Sequence, residues 1–502
     1  MDDRRLKNIV IVGGGSAGWM TAAALSSLLD PRNISVTLVE SEQIGTVGVG
    51  EATIPDMINF NRILGIREAE FMKATDATFK LGIQFVNWGR LGEHYFHPFG
   101  QHGADMQGID FHHYWLHAQQ NGSANPIEDY SLCAVAGKAN KFALPAQDPR
   151  SVMSKIRYAY HFNATKYAKF LRVYAEKRGV RRIEGKVETV SVAPGSGDIQ
   201  SLALDNGKRI EGDFFFDCTG FRALLMRKTL GVEFKDWSQW LPCNTAQTIA
   251  CEHTDALPSY TRSTAQSAGW QWRIPTQSRT GNGHIYSTDY MDDEAAQDIL
   301  LANLDGTPIG QPRTIRFKTG RLAEFWHNNC VGIGLSSGFL EPLESTSLYL
   351  IQSGISKFIS LFPSGSFSPI IAQEYNRQMC QEFDQVRDFI ILHYKATQRD
   401  DSPFWNYCRT MSIPDSLQRK IDLFHEAGRM VRDENELFTR PNWIAVMLGQ
   451  NLVPKVCDPI VATLPPEQVE HSLASMRQAI TRATDQMPTH DGFIDKYCKA
   501  ET

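Results

Sequence analysis

The sequence has no excess of positive charge. Its 502 residues include 51 Lys and Arg against 56 Asp and Glu, which gives a net charge of −5. Nucleic acids and anionic membranes attract basic surfaces, so the composition argues against both as partners. No stretch approaches the roughly 20 apolar residues of a membrane span. No signal-peptide segment precedes the first predicted strand, and we therefore expect a cytoplasmic protein.

The sequence also lacks the cysteine pairs of a disulfide framework or a zinc site. Its nine cysteines are scattered and form no C-x-x-C pair, a pattern typical of reduced intracellular thiols. His112, His113 and His117 lie close together, but no acid or cysteine at a familiar spacing completes a ligand set. We predict that the protein holds no metal.

What the sequence does have is a dinucleotide-binding fingerprint near its start. It consists of an apolar strand, three spaced glycines, the start of a helix, a second apolar strand and an acid, at residues 8–12, Gly13, Gly15, Gly18, Ser16, Ala17, 34–39 and Glu40. The first glycine permits a tight turn, the second lets a pyrophosphate approach the backbone, and the third lets the helix pack on the strand. The helix amides would face phosphates, and the acid would accept a ribose hydroxyl. The fingerprint predicts FAD or NAD.

The length exceeds that of one compact core, so we predict an α/β protein with interleaved parts. The cofactor module would be Rossmann-like and assembled from three segments. Between them would lie a substrate region, and a mostly helical region would follow. The expected divisions are 1–89 (cofactor module), 90–150 (substrate-region loops), 151–235 (cofactor module), 236–317 (antiparallel sheet over a substrate cavity), 318–365 (cofactor module) and 366–502 (helical covering region).

Four local patterns add detail to this outline. A glycine-rich loop at 45–55 has the composition of a mobile or ligand-approaching segment. Residues 158–178 suggest a helix, and Asn206-Gly207 predicts a hairpin turn. A buried strand at 212–220 ends in Asp217, which would then face the cofactor.

Two charged side chains stand out as candidates for chemistry. Lys80 lies in an otherwise apolar stretch. It is either solvated, as most lysines are, or buried with a lowered pKa, which would make it an amine nucleophile or a strong donor. Glu344 opens a Glu-Ser-Thr-Ser segment, 344–347, before a predicted helix. The segment suits either an ordinary helix cap or an anion site, and composition leaves both open.

Aromatic residues supply two further candidates. Trp270 and Trp272 alternate onto one face of a predicted strand, where they would serve as core or line a substrate region. His97, Pro98 and Phe99 would line a slot for a ring or pack in a loop.

Together these motifs resemble the flavin-dependent halogenases of the tryptophan-halogenase-like family over most of the chain. The segments that carry the resemblance are 13–18 (GGGSAG), 48–53 (GVGEAT), Lys80, 269–275 (GWQWRIP) and 344–346 (EST). The GWxWxIP block is specific to that family, whereas the glycine fingerprint is not.

The resemblance implies an FAD-binding fold of the GR2-type flavin monooxygenase kind. A separate flavin reductase would supply FADH2, and oxygen with chloride or bromide would give hypohalous acid. That acid would travel through a tunnel to an electron-rich aromatic substrate. Lys80 and Glu344 would be catalytic, Thr346 and Ser347 would bind halide, and the tryptophan pair would keep substrate from the flavin. His97, Pro98 and Phe99 would bind substrate. Further cofactor contacts would be Gly48, Val49, Gly50, Glu51, Ala52, Asp217 and Leu335.

Two departures bear on the substrate. Ser347 replaces the glycine expected of enzymes that act on free tryptophan, which could shift the halide preference. Residues 441–454 lack the Tyr-Tyr, Glu and Phe-Trp features that hold free tryptophan. We therefore expect indole or a small indole-bearing molecule, with a carrier-bound substrate still open.

Two other functions compete with halogenation. A flavin monooxygenase would share the fold but would have no use for Lys80, Glu344 or halide. A non-catalytic flavin-binding scaffold would need neither side chain. A homodimer is one assembly that the sequence allows.

Overall fold

A computed structural model describes residues 6–43, 50–253, 256–363 and 368–500. The strands are β1 (Asn8–Val12), β2 (Ser35–Glu40), β3 (Gly50–Ala52), β4 (Thr78–Lys80), β5 (Gly82–Val86), β6 (His94–Pro98), β7 (Ala159–Asn163), β8 (Arg181–Glu184), β9 (Val187–Val192), β10 (Ile199–Leu204), β11 (Arg209–Glu211), β12 (Phe214–Asp217), β13 (Phe234–Asp236), β14 (Thr245–Cys251), β15 (Thr261–Gln266), β16 (Gly269–Pro275), β17 (Thr280–Tyr286), β18 (Pro308–Arg316), β19 (Gly320–Leu322), β20 (Trp326–His327), β21 (Cys330–Gly332) and β22 (Gly338–Phe339).

The α-helices are α1 (Ser16–Leu28), α2 (Asp56–Ile63), α3 (Glu68–Thr75), α4 (Phe111–Gln120), α5 (Leu132–Lys138), α6 (Ala164–Glu176), α7 (Asp293–Ala302), α8 (Ser347–Ser360), α9 (Pro369–Lys395), α10 (Pro403–Thr410), α11 (Asp415–Ala427), α12 (Arg440–Gly449), α13 (Pro459–Ala462), α14 (Pro466–Asp485) and α15 (His490–Tyr497).

The cofactor-type sheet has the order β20-β21-β12-β1-β2-β8. Its pairs are parallel except for β20 with β21. The core of β1 is buried along almost its whole length, as expected of a strand covered on both faces. Because its strands come from three distant stretches of chain, this sheet is interleaved with the rest of the protein, as predicted.

A seven-stranded sheet of order β18-β14-β17-β16-β15-β5-β6 supplies the second layer. Residues 236–317 contribute five of its strands, and their mutual pairing is antiparallel. β5 joins β15 in parallel and pairs with β6. The expected division between residues 89 and 90 therefore falls between two paired strands of one sheet. Residues 90–150 also form α4 and α5, so they are more regular than the predicted loops.

The predicted helix at 158–178 begins later than expected. Ala159–Asn163 is instead a buried strand, β7, which pairs with both β3 and β4. Its aromatic residues suit a strand, and these two neighbours supply the backbone hydrogen bonds. Asn163 then caps α6 by accepting a hydrogen bond from Lys166 N at 3.1 Å. The hairpin at Asn206-Gly207 is confirmed between β10 and β11, with Gly207 at φ 79°.

Helices α9 to α15 form the C-terminal region, as predicted. The 27-residue α9 is the longest of them. It contacts β20 of the cofactor-type sheet, and its His393 ring contacts Phe85 of β5 in the seven-stranded sheet. Within the described residues, every helix is too short or too polar to cross a lipid bilayer.

Candidate functional site

A cavity of about 540 Å³ opens at the carboxyl ends of β1 and β2, where parallel sheets of this kind bind ligands. Most residues predicted to hold the cofactor line it. They are Gly13, Gly15, Ser16, Ala17, Glu40, Gly50, Glu51, Ala52 and Leu335. Gly48 and Val49, also predicted to bind the cofactor, lie outside the described residues.

The three fingerprint glycines have different surroundings. Gly13 has φ 113°, and a Cβ on it would stand 2.2 Å from the Cys218 carbonyl oxygen. A Cβ on Gly18 would stand 1.8 Å from the Gly13 carbonyl oxygen, so this glycine lets α1 pack against the turn. A Cβ on Gly15 would meet nothing within 4 Å. Gly15 faces the cavity, so a glycine there keeps space for a ligand rather than for the protein's own packing.

Glu40 and Asp217 end β2 and β12, the two strands on either side of β1, but differ in their availability to a ligand. Glu40 lines the cavity, and one of its carboxylate oxygens accepts a hydrogen bond from Arg182 Nε at 2.5 Å. Asp217 is fully buried, and its two oxygens accept from four donors of the following turn: Thr219 N and Oγ1, Leu225 N and Met226 N. Asp217 therefore holds the turn after β12, and the structure does not support the predicted direct contact with cofactor.

Lys80 is completely buried at the end of β4. Its Nζ donates to the Thr53 carbonyl oxygen at 3.0 Å and to Ser345 Oγ at 2.7 Å, and it lies 5.0 Å from the centre of the Phe99 ring. Burial lowers the pKa of Lys80 to about 7, although the charge of Glu344 opposes the shift. Ser345 lines the cavity. One hydrogen bond thus separates the cavity wall from a desolvated amine.

Glu344 is equally buried and is held by two imidazoles. His97 Nδ1 lies 2.9 Å and His393 Nε2 lies 2.8 Å from its carboxylate. The second nitrogen of His97 accepts from Asn442 Nδ2 at 2.9 Å, so its Nδ1 carries the hydrogen. Burial alone would raise the pKa of Glu344, but the imidazoles outweigh it and lower the pKa to about 2. Glu344 is therefore a carboxylate.

His393 differs from His97 in its hydrogen bonds. Its Nδ1 faces the Phe389 carbonyl oxygen at 2.9 Å, and its Nε2 faces Glu344. Both of these partners are acceptors, so each ring nitrogen of His393 faces an oxygen to which it could donate. Sequence reasoning missed His393, Asn442, Thr53 and Ser345. Two of them had a local signal: Ser345 lies between Glu344 and Thr346, and Thr53 ends the GVGEAT segment.

The start of α8 offers donors to an anion. Thr346 is fully buried, and its Oγ1 finds no hydrogen-bond partner among the described residues. The Thr346 side chain accepts no hydrogen bond from the first amides of α8. It therefore leaves those N–H groups available to another acceptor. Ser347 begins the helix and lines the cavity. A hydroxyl and helix amides of this kind suit a small anion.

Both tryptophans of the GWxWxIP block line the cavity from β16. Their ring centres are 5.9 Å apart. On β17, Gly283 lies opposite Trp272. A Cβ on Gly283 would stand 2.1 Å from the Trp272 ring, so the glycine leaves room for the indole. Trp270 Nε1 donates to Glu341 at 2.8 Å. The tryptophan pair is thus part of the cavity wall rather than of a remote core.

The family model described as tryptophan halogenase matches residues 8–466. The chain belongs to this family. It is 35% identical to tryptophan 6-halogenase SttH of Streptomyces toxytricini, over 97% of this chain and 98% of that protein. The solved structure of Xcc4156, a flavin-dependent halogenase from Xanthomonas campestris, matches with TM-score 0.96 and 46% identity, over 99% of this chain and all of that one. BrvH, a flavin-dependent halogenase from Brevundimonas sp. BAL3, matches with TM-score 0.95 and 44% identity, over 98% and 99%.

The protein is accordingly a flavin-dependent halogenase. Enzymes of this family need FADH2 from a separate flavin reductase, a halide ion and an aromatic substrate. The cavity fits the flavin cofactor because glycine turn, helix start and Glu40 meet at one end and the tryptophan pair lies along its wall. The comparisons do not favour a monooxygenase or a non-catalytic scaffold.

The structure bears on two predictions about histidines, namely that His97 binds substrate and that His112 and His113 hold no metal. His97, Pro98 and Phe99 were expected to bind substrate. Both ring nitrogens of His97 are hydrogen-bonded within the protein, Pro98 is buried beside it and Phe99 faces Lys80, and substrate binding by these residues stays a prediction. His112 and His113 form a possible ligand cluster with Asp110, whose candidate atoms lie within 4.8 Å of one another.

The hydrogen bonds of this cluster disfavour a metal. His112 Nε2 donates to the Gly428 carbonyl oxygen at 2.7 Å, which leaves its Nδ1 lone pair free. His113 Nδ1 accepts from Asp458 N at 3.1 Å, so its Nε2 carries hydrogen and offers no lone pair. Asp110 is paired with Arg440. One free imidazole lone pair is too few for a stable site.

Proposed function

We propose that this halogenase places a halogen on free indole or a small indole-bearing molecule, with Lys80 and Glu344 as its catalytic residues. The single observation that carries the proposal is the complete burial of Lys80, one hydrogen bond from the cavity wall and 5.0 Å from an aromatic ring. An amine shielded from water is more readily neutral and nucleophilic, and its surroundings keep other nucleophiles away from the halogen that it holds.

The flavin, when bound, supplies the oxidation of halide to hypohalous acid. We propose that Thr346 Oγ1 and the first α8 amides hold the halide. The Lys80 amine, whose pKa is lowered by burial, then attacks the halogen of hypohalous acid, so that an N–halogen bond forms, the O–halogen bond breaks and water leaves. The N–halogen bond then breaks as the halogen bonds to the ring carbon, and the nitrogen takes up one proton to restore the amine, in balance with the proton that the ring loses to Glu344.

Glu344 would act after halogen transfer. The halogenated ring carbon still carries its hydrogen and is a strong acid, so a carboxylate of low pKa is basic enough to remove the proton. Glu344 would also stabilise the positive charge that develops on the ring. The two imidazoles fix its orientation, and Trp270 and Trp272 would keep substrate away from the flavin.

The preference for a small indole rests on residues 441–454. Related proteins are named tryptophan 6- and 7-halogenases. In this chain the same region lacks the side chains that hold free tryptophan, and Asn442 of α12 is used by His97. A cytoplasmic location and a homodimer stay predictions from the sequence.

Replacing Lys80 with Ala tests the catalytic assignment. The variant should reoxidise FADH2 at the parent rate and release hypohalous acid to solvent, yet yield at least about 10²-fold less halogenated indole. Lys169→Ala, an exposed lysine on α6, is the matched control and should keep full yield. Product formed by Lys80→Ala at the parent rate would contradict the assignment.

Competition between substrates tests the substrate class. With equal indole and L-tryptophan, and chloride or bromide supplied in turn, mass spectrometry should show halogenated indole as the main product with either halide. Dominant halotryptophan would overturn the substrate proposal while leaving the role of Lys80 intact.

A further inference from the structure

Trp270 opens a row of redox-active rings that leads away from the cavity. The Trp88 ring centre lies 6.4 Å from that of Trp270, and Tyr394 lies 5.4 Å from Trp88. All three are buried. Aromatic rings at such distances are in van der Waals contact, and contact between π systems permits fast one-electron transfer.

A buried carboxyl group joins the two ends of this row. Tyr394 OH donates to Glu341 Oε2 at 2.6 Å, and Trp270 Nε1 donates to the same oxygen at 2.8 Å. Glu341 is fully buried, and its Oε1 has no partner among the described residues. Burial raises the pKa of Glu341 to about 7, which makes it a better proton acceptor than an ordinary carboxylate. None of the proposed halogenation steps uses it.

Neighbouring charges decide where an oxidised ring would settle. Trp405 stacks near Tyr394, but the Arg399 guanidinium lies 4.8 Å from its ring centre and disfavours a radical cation there. Tyr394 has the opposite environment, because its hydroxyl is already hydrogen-bonded to a proton acceptor. Loss of an electron and a proton together leaves a neutral radical, which a buried site tolerates better than a charge.

We propose that Tyr394 is the terminal electron donor of an aromatic relay that begins at the flavin cavity, and that Glu341 accepts its proton. The oxidant is oxidised flavin excited by light. It takes one electron from Trp270, Trp88 refills Trp270, and Tyr394 refills Trp88 while its phenolic proton moves to Glu341. The flavin gains one electron, Tyr394 loses one electron and one proton, and Glu341 gains that proton. The relay thus moves the oxidising equivalent of the excited flavin to Tyr394, whose proton is held by Glu341.

Transient absorption of the FAD-loaded protein at pH 8, without oxygen or added donor, tests the relay. A blue flash should give a tyrosyl radical and a long-lived one-electron-reduced flavin, formed more slowly in D2O. Tyr394→Phe and Trp88→Phe should each shorten that lifetime about tenfold. The control Tyr375→Phe, a buried tyrosine that packs on Trp326, should match the parent.

Glu341→Gln separates proton transfer from packing. Glutamine keeps the size and still accepts both hydrogen bonds but cannot take the proton, so the tyrosyl signal and the D2O effect should be lost while FAD still binds. A tyrosyl radical unchanged in this variant would overturn the role of Glu341, and a parent-like lifetime in Tyr394→Phe would overturn the relay. Halogenation in the dark, assayed in parallel with Tyr394→Phe, reports on the proposed function separately.

Discussion

Lys80 and Glu344 show how burial and neighbours set opposite chemistry on two side chains. Burial removes water from the Lys80 ammonium and lowers its pKa to about 7, so a large share is neutral amine at neutral pH. Glu344 is just as buried, but two imidazoles keep it ionised with a pKa of about 2. An amine that can be halogenated and a base that can take a proton thus coexist in one buried site.

The pH dependence of halogenation should report on Lys80. If the neutral amine attacks, kcat should rise with pH through about 7 and level off above it, because the protonated form is lost there. Stopped-flow and product assays that start from pre-reduced FAD measure this rise of kcat with pH. A rate that falls across the same range would contradict amine attack and indicate the ammonium as a hydrogen-bond donor.

His393→Asn should then expose the ionisation of Glu344. The substitution removes one of the two imidazoles that lower the pKa of Glu344, so this pKa should rise from about 2 while His97 still opposes the effect of burial. At pH values below the pKa of Lys80, the dependence of activity on proton concentration should change from first order to second order. His327→Asn, a surface histidine paired with Glu324, is the control. A variant that loses activity equally at every pH would indicate only a structural role for His393.

At the scale of elements, β1, the glycine turn and α1 form a unit that serves both folding and binding. A Cβ on Gly18 would collide with backbone, whereas a Cβ on Gly15 would project into open space. Glycine is therefore required for packing at position 18 and for ligand space at position 15.

Alanine substitutions should separate these two demands. Gly18→Ala should lower the stability of the apoprotein by about 1–3 kcal/mol, the usual cost of overpacking. Gly15→Ala should leave apoprotein unfolding nearly unchanged but weaken FAD binding at least about tenfold. Thermal unfolding and FAD titration measure the two effects. Equal destabilisation of both apoproteins would show that Gly15 is also required for packing.

For the whole molecule, the C-terminal helices complete the site that the sheets begin. His393 comes from α9 and Asn442 from α12, and both act on the pair formed by His97 and Glu344. Asn442→Leu should therefore reduce halogenation yield without changing the rate of FADH2 reoxidation. Asn451→Leu, next to α12 but hydrogen-bonded to Glu93, is the control. Parallel loss of both rates in Asn442→Leu would contradict this division of labour.

Local patterns were enough for much of this protein. The fingerprint strand, turn and helix, the hairpin at Asn206-Gly207 and the helical C-terminal region follow from periodicity and turn chemistry, which act over a few residues. The resemblance carried by the GWxWxIP block identified the family and marked Lys80 and Glu344. These signals are local in sequence, so a single chain reveals them.

The tertiary structure decided what those side chains meet. Whether Lys80 is solvated or buried depends on Thr53 and Ser345, which lie 27 and 265 positions away. The hydrogen-bond partners of Glu344 come from β6 and α9. Asp217 accepts hydrogen bonds from the turn that follows it, although its position in the sequence suggested a contact with the cofactor. Hydrogen bonds and desolvation act through space over a few ångströms, and no spacing along one chain specifies which distant groups will arrive there.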